Sequence, residues 1–256
     1  ARQFRKALDL SKDAAERWSG DKLIDARLKS DQGGLELIAS SYQNARKLLD
    51  QSLAGLDAAE VPDLRSLPLV LVNLATAELA CDSRDQAEKH LARCSNLYRE
   101  QRLPDDPVRA ECEYLRGVSA SQRGDFAGAM KFFRAGLVVC DSVGKPAESV
   151  RFNLWLNTAL IHKEQGDVAS AQDSLKQAAT ALTGFADAED LSFALIDAVR
   201  ADMYISQGKV PPAVALIPRI ESACEKNHIR GGYLWTTTRH VRALEQMVNK
   251  EDRKST

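Results

Sequence analysis

Three sets of residues in this chain could carry chemistry. They are the histidines His90, His162, His228 and His240, the cysteines Cys81, Cys94, Cys112, Cys140 and Cys224, and the tripeptide Arg123-Gly124-Asp125. A structural metal site needs several His or Cys ligands at close spacing, and the sequence has neither such a cluster nor a CxxC pair. A phosphate-binding loop needs Lys-Ser/Thr after its glycines, which GVSASQRGD at 117–125 lacks. No Ser/His/Asp order and no HExxH occur, and the carboxylates at 187–190 read as solvated caps. The expectation is a non-enzyme with no catalytic residue, no metal and no cofactor. Arg-Gly-Asp is also an integrin-binding tripeptide, but its surroundings recur along the chain and give it another meaning.

Composition narrows the partners. A formal net charge of −1 gives no electrostatic pull towards nucleic acid or an anionic membrane. The longest apolar runs, such as residues 67–75, are too short to cross a bilayer. The odd cysteine count without CxxC points to a reduced, cytoplasmic protein. The chain begins at Ala1 within a helical pattern and reads as part of a longer protein.

The elements that position these residues follow from an internal repeat. QRGDFAGA at Gln122 has relatives in EQGDVASA at Glu164 and SQGKVPPA at Ser206, which sets Gly124, Gly166 and Gly208 at steps of 42. The same step links Ala45, Ala87, Ala129, Ala171 and Ala213. Twelve residues earlier stand Gly33, Ala75, Gly117, Ala159 and Ala201, all small. Four later stand Leu49, Leu91, Phe133, Leu175 and Ile217, all large and apolar. Seven later come Ser52, Cys94, Gly136, Ala178 and the misfit Ile220, and eleven later Leu56, Tyr98, Cys140, Leu182 and Cys224.

Small residues on two helices permit close approach, and a large one fills the groove beside them. Glycine between the helices takes a left-handed cap, and Asp125 or Asp167 then caps the next helix. Arg123-Gly124-Asp125 is therefore a structural turn. Each unit is a helix–turn–helix hairpin whose apolar face needs a neighbour.

The expected repeats cover 21–57, 64–102, 107–143, 147–184 and 187–227, within one domain over 1–250. Residues 1–18 form a partial repeat, 231–249 a C-terminal capping helix and 251–256 a disordered tail. Pro68 suggests that the second repeat starts nearer Ser66.

These columns resemble the tetratricopeptide repeat (TPR), most clearly in WLNTALIHKEQGDVASAQDSLKQA. There Trp155, Ala159, Gly166, Ala171 and Ala178 match the family's pattern, while Thr158, His162 and Leu175 depart from it. The 42-residue period is similar to the long-helix TPR arrays of kinesin light chains and of bacterial transcription regulators and signalling kinases. The resemblance implies an all-α, right-handed α-solenoid. It also implies a protein–protein interaction module whose concave groove takes a peptide, a helix or a neighbouring domain, as the regulatory part of a longer protein.

Asn73 and Asn157 match the family's backbone-binding asparagine, and Tyr114, Leu115, Asn153, Leu156 and Lys163 are the neighbouring groove candidates. Asp31, Leu115 and Val199 interrupt that asparagine ladder. The column Ser30, Val72, Tyr114, Leu156 and Ala198 holds no cation, which argues against a receptor for a carboxylate tail and favours an apolar partner. The alternative is a structural or oligomerisation array whose groove is filled by its own helix, with no peptide ligand.

Overall fold

The computed structural model describes residues 2–17, 20–183 and 191–255. Among them run twelve α-helices: α1 (Arg2–Arg17), α2 (Lys22–Ile38), α3 (Tyr42–Asp57), α4 (Ser66–Ala80), α5 (Arg84–Glu100), α6 (Pro107–Gln122), α7 (Phe126–Val143), α8 (Glu148–Glu164), α9 (Val168–Ala181), α10 (Leu191–Ser206), α11 (Val210–Lys226) and α12 (Gly232–Ser255). A 3-10 turn at Lys145–Ala147 precedes α8. The architecture is all-helical, built from consecutive helix pairs. The backbone clusters into two compact units, Ala1–Val150 and Arg151–Thr256, where the sequence reading has one domain.

The turns inside the pairs repeat in conformation, not only in sequence. Gly124, Gly166 and Gly208 have φ of 79°, 76° and 70°. Ser40 and Asp82, the equivalents without glycine, adopt φ of 58° and 59°. A left-handed residue at the helix end lets its neighbours' N–H groups satisfy the last carbonyls. Asp125 N–H bonds Ala120 O at 3.0 Å, and Asp167 N–H bonds His162 O at 2.9 Å. The two aspartates then cap the next helices, accepting from Gly128 N–H at 2.8 Å and Ser170 N–H at 3.1 Å.

The small and large columns form the core. All five alanines from Ala45 to Ala213 have zero exposure, and the large column from Leu49 to Ile217 is equally closed. The small residue twelve positions before each alanine faces the large residue directly, since a Cβ on Gly33 would stand 2.5 Å from Leu49 Cγ. In the column seven after, Ser52 Oγ donates to Ala26 O at 2.7 Å and the Cys94 thiol to Pro68 O at 3.9 Å, one repeat further on. Ile220, the misfit of that column, is fully buried all the same.

In the first unit α4 carries the densest core, from Leu67 to Ala77, and α5 and α6 add Leu91, Tyr98 and Cys112. In the second unit one cluster joins α8, α9 and α10, and another joins α10, α11 and α12.

The tail expected to be disordered at 251–256 continues α12 through Ser255, because no Gly or Pro follows Gly232 and its charged residues are good helix formers. Pro218 lies inside α11. It is exposed, so the Val214 carbonyl freed by the missing N–H faces water and the helix continues. The linker carboxylates at 187–190 fall outside the described residues.

Candidate functional site

A groove of about 710 Å³ opens in the first unit between α1, α2 and α4. Its walls expose three large apolar side chains, Leu10 at 59%, Ile38 at 77% and Leu69 at 40%. Water contact at that scale costs free energy that a bound apolar partner recovers. Gly34 keeps the floor low, with Asn73 Nδ2 as the nearest group a Cβ there would meet, at 3.8 Å.

Polar groups in this groove lack internal partners. Ser11 Oγ is buried with no hydrogen-bond partner among the described residues. Neither the Asn73 amide nor the Asp31 carboxylate has a partner there. Asp31 is exposed, and its partial desolvation beside these apolar walls pushes the carboxyl above its ordinary value. An asparagine amide presents a donor and an acceptor side by side, which matches the N–H and C=O of an extended backbone. Asp31 and Asn73 stand 42 residues apart, so two successive repeats present their side chains to one groove.

The other sequence candidates are placed differently. Leu115 is 5% exposed within the first unit's core. Tyr114 stacks on Phe133 with ring centroids 6.3 Å apart. In the second unit, Leu156 is 7% exposed in the α8–α9–α10 cluster. Asn157 Nδ2 donates to Asn153 O at 2.9 Å, within its own helix. Lys163 Nζ lies 3.6 Å from Asp202 Oδ2, and that same oxygen accepts from the Tyr233 hydroxyl at 2.6 Å. Lys163, Asp202 and Tyr233 thus join α8, α10 and α12.

Arg123 of the Arg-Gly-Asp turn is held by Glu88 and by Ser119 Oγ, and Asp125 is a helix cap. All five cysteines are free thiols, and only Cys81 is not buried. No group of three or more His, Cys, Asp and Glu able to hold a metal occurs among the described residues. No described helix is long and apolar enough to cross a membrane.

Sequence reasoning placed Asn73 but set Asp31 aside as a break in the asparagine ladder. It missed Leu10, Ser11, Ile38 and Leu69. The available signal was Asp31 at the asparagine's own column, since a carboxylate and an amide oxygen accept the same hydrogen bond.

No family model matches the chain, and no curated protein does. Solved structures do. The quorum sensor NprR from B. thuringiensis, in its apo form, aligns at 15% identity with a TM-score of 0.70, over 90% of this chain and 62% of its own. A Rap protein complexed with Competence and Sporulation Factor aligns at 14% identity and 0.62, over 97% of this chain and 72% of its own. A thermophilic TPR protein from Thermus thermophilus aligns at 22% and 0.52, over 81% and 96%. At these identities the likeness speaks for the fold, which is an all-α, TPR-like repeat.

Proposed function

We propose that this chain is a non-enzymatic interaction module that holds an apolar peptide or helix in the α1–α2–α4 groove, in a regulatory role within a longer protein. One observation carries the reading: unpartnered Asn73, Asp31 and Ser11 share a groove with exposed Leu10, Ile38 and Leu69. Burial of each large apolar side chain contributes about 1.5–3 kcal/mol, against about 0.5–1.5 kcal/mol for a hydrogen bond. Apolar contact therefore supplies the affinity, and the Asn73 amide sets the register of the bound backbone. The Rap protein, complexed with its factor, lends the reading support by fold.

The test is a selection of apolar peptides from a displayed library on the intact chain. The winners are then titrated against Leu69→Asp and Asn73→Ala. Leu69→Asp is expected to abolish binding, and Asn73→Ala to weaken it about five- to tenfold, the worth of one such hydrogen bond. Equal affinity for wild type and both variants overturns the reading.

A further inference from the structure

Two of the buried thiols meet where the second repeat packs on the third. Cys94 lies on α5 and Cys112 on α6, and both are closed to solvent. Cys94 and Ser95 follow Leu91 by three and four residues, so the three border one hole on the surface of α5. Cys112 fills that hole from α6. Its thiol donates to Leu91 O at 3.5 Å, and its sulfur lies 3.5 Å from Ser95 Oγ. It also shares a thiol–thiol hydrogen bond with Cys94. Cys140 and Cys224 are buried to the same degree but stand on α7 and α11, and the Cys140 thiol donates to Ala147 O at 3.7 Å.

The two sulfurs sit in different surroundings. Cys94 donates to the Pro68 carbonyl at 3.9 Å, a contact that only the protonated thiol makes. Cys112 faces groups that favour a thiolate. Ser95 Oγ stands 3.5 Å from both the Cys112 sulfur and Glu113 Oε1, and Arg116 Nη1 donates to that hydroxyl at 3.2 Å. Arg116 also holds Glu113, at 3.2 Å, which leaves the Ser95 proton for the sulfur. The hydrogen bond from Cys94, then Ser95 and the Arg116 charge, draw the Cys112 thiol below its ordinary value against burial and Glu113. The bond to Cys112, together with burial, pushes Cys94 up. A cleft of about 140 Å³ reaches this corner, and Leu91 and Arg116 belong to its lining. Hydrogen peroxide, little larger than water, fits such a space.

We infer that Cys94 and Cys112 are a hydroperoxide-sensitive pair, converted within the folded chain to a disulfide that staples α5 to α6. The Cys112 thiolate attacks one oxygen of hydrogen peroxide. An S–O bond forms, the O–O bond breaks, and the departing hydroxide takes the proton that Cys112 gave up and leaves as water. The Cys94 sulfur then attacks the Cys112 sulfenic acid. The S–S bond forms, the S–O bond breaks, and a second water leaves with the Cys94 proton. The thiols lose two electrons in all and the peroxide gains them. The product joins the second repeat to the third and removes the donor from Pro68 O, on α4 beside Leu69.

The test treats the reduced, folded chain with hydrogen peroxide, alkylates the remaining thiols and maps a non-reducing digest by mass spectrometry. A linked Cys94–Cys112 peptide is expected, with Cys140 and Cys224 recovered as alkylated thiols. Those two are the control, since burial alone would treat all four alike. Cys94→Ala should leave Cys112 as a sulfenic acid that dimedone traps. Alanine suits that position, because Ala178 fills the same column. Arg116→Met should slow formation of the linked peptide about fivefold or more, through loss of the charge beside the thiolate. Circular dichroism establishes that the variants fold, and the wild-type digest stands without them. The inference is overturned if peroxide modifies Cys81 and leaves Cys94 and Cys112 as thiols, or if the linked peptide appears only in urea. Equal oxidation of Cys140 and Cys224, or dimedone on neither cysteine of the pair in Cys94→Ala, overturns it as well.

Discussion

Gly117 lies against the ring of Phe133, so close that a Cβ on residue 117 would overlap it. Phe133 is 1% exposed and has no room to retreat. Two effects oppose each other in Gly117→Ala. Removing a mid-helix glycine gains about 1 kcal/mol, while forcing a methyl into a closed core costs about 1–3 kcal/mol. The clash is with a ring, not a flexible chain end, so the cost lies towards the upper end of that range and the variant should lose up to about 2 kcal/mol. Adding Phe133→Leu recreates the pairs Ala75–Leu91 and Ala159–Leu175 and should recover part of the loss. Urea denaturation of the two single variants and the double measures the coupling. A more stable Gly117→Ala counts against this contact.

Pro218 interrupts the hydrogen-bond ladder of α11 at an exposed position. Proline in a helix interior costs about 3 kcal/mol relative to alanine. Hydration of the freed carbonyl, and the stiffer unfolded chain that proline imposes, offset part of this. Pro218→Ala should therefore raise stability by about 1–2 kcal/mol. A thermal melt that moves downwards instead would show that the proline is fitted to a bend in the helix.

Asp63 ties α2 to the start of α4. Its Oδ2 accepts from Arg27 Nε at 2.7 Å and its Oδ1 from the Ser66 N–H at 3.2 Å. Burial alone would raise this carboxyl, but the Arg27 guanidinium and the Ser66 donors together hold it at about 2. In the unfolded chain an aspartate takes up its proton at about 3.9. Between those values the unfolded state binds more protons, so the Asp63 contribution is complete above pH about 4 and fades as the pH falls towards 2. Urea midpoints followed from pH 5 to pH 2 should fall less steeply in Arg27→Gln than in the wild type. Parallel slopes would remove Asp63 from the account.

The repeat was legible in the sequence because its core tolerates so little. Ala87 and Ala129 are wholly enclosed, and any larger side chain would push neighbouring helices apart. The turns at Ser40 and Asp82 were legible only through their register, because no glycine marks their left-handed backbone. The groove was legible in part. Asn73 is an asparagine at a place the TPR pattern specifies, whereas the exposure of Ile38 and Leu69 depends on where α1 stops covering α2 and α4, which periodicity does not encode. Leu115 and Leu156 occupy groove columns but are drawn into the core by neighbouring helices, since an apolar side chain is not held at a surface that its neighbours can close.

The second set of turns, between hairpins, keeps the same step. Arg102, Gly144 and His228 all have positive φ, at intervals of 42 and twice 42. Both kinds of corner thus recur in phase with the caps and with the small-to-large contacts. A duplication or loss of one whole repeat would rejoin helix to helix with every partner in step, and a partial one would put a bulky side chain where an alanine is needed. Lineages of such a chain can change length by whole modules more readily than by single residues.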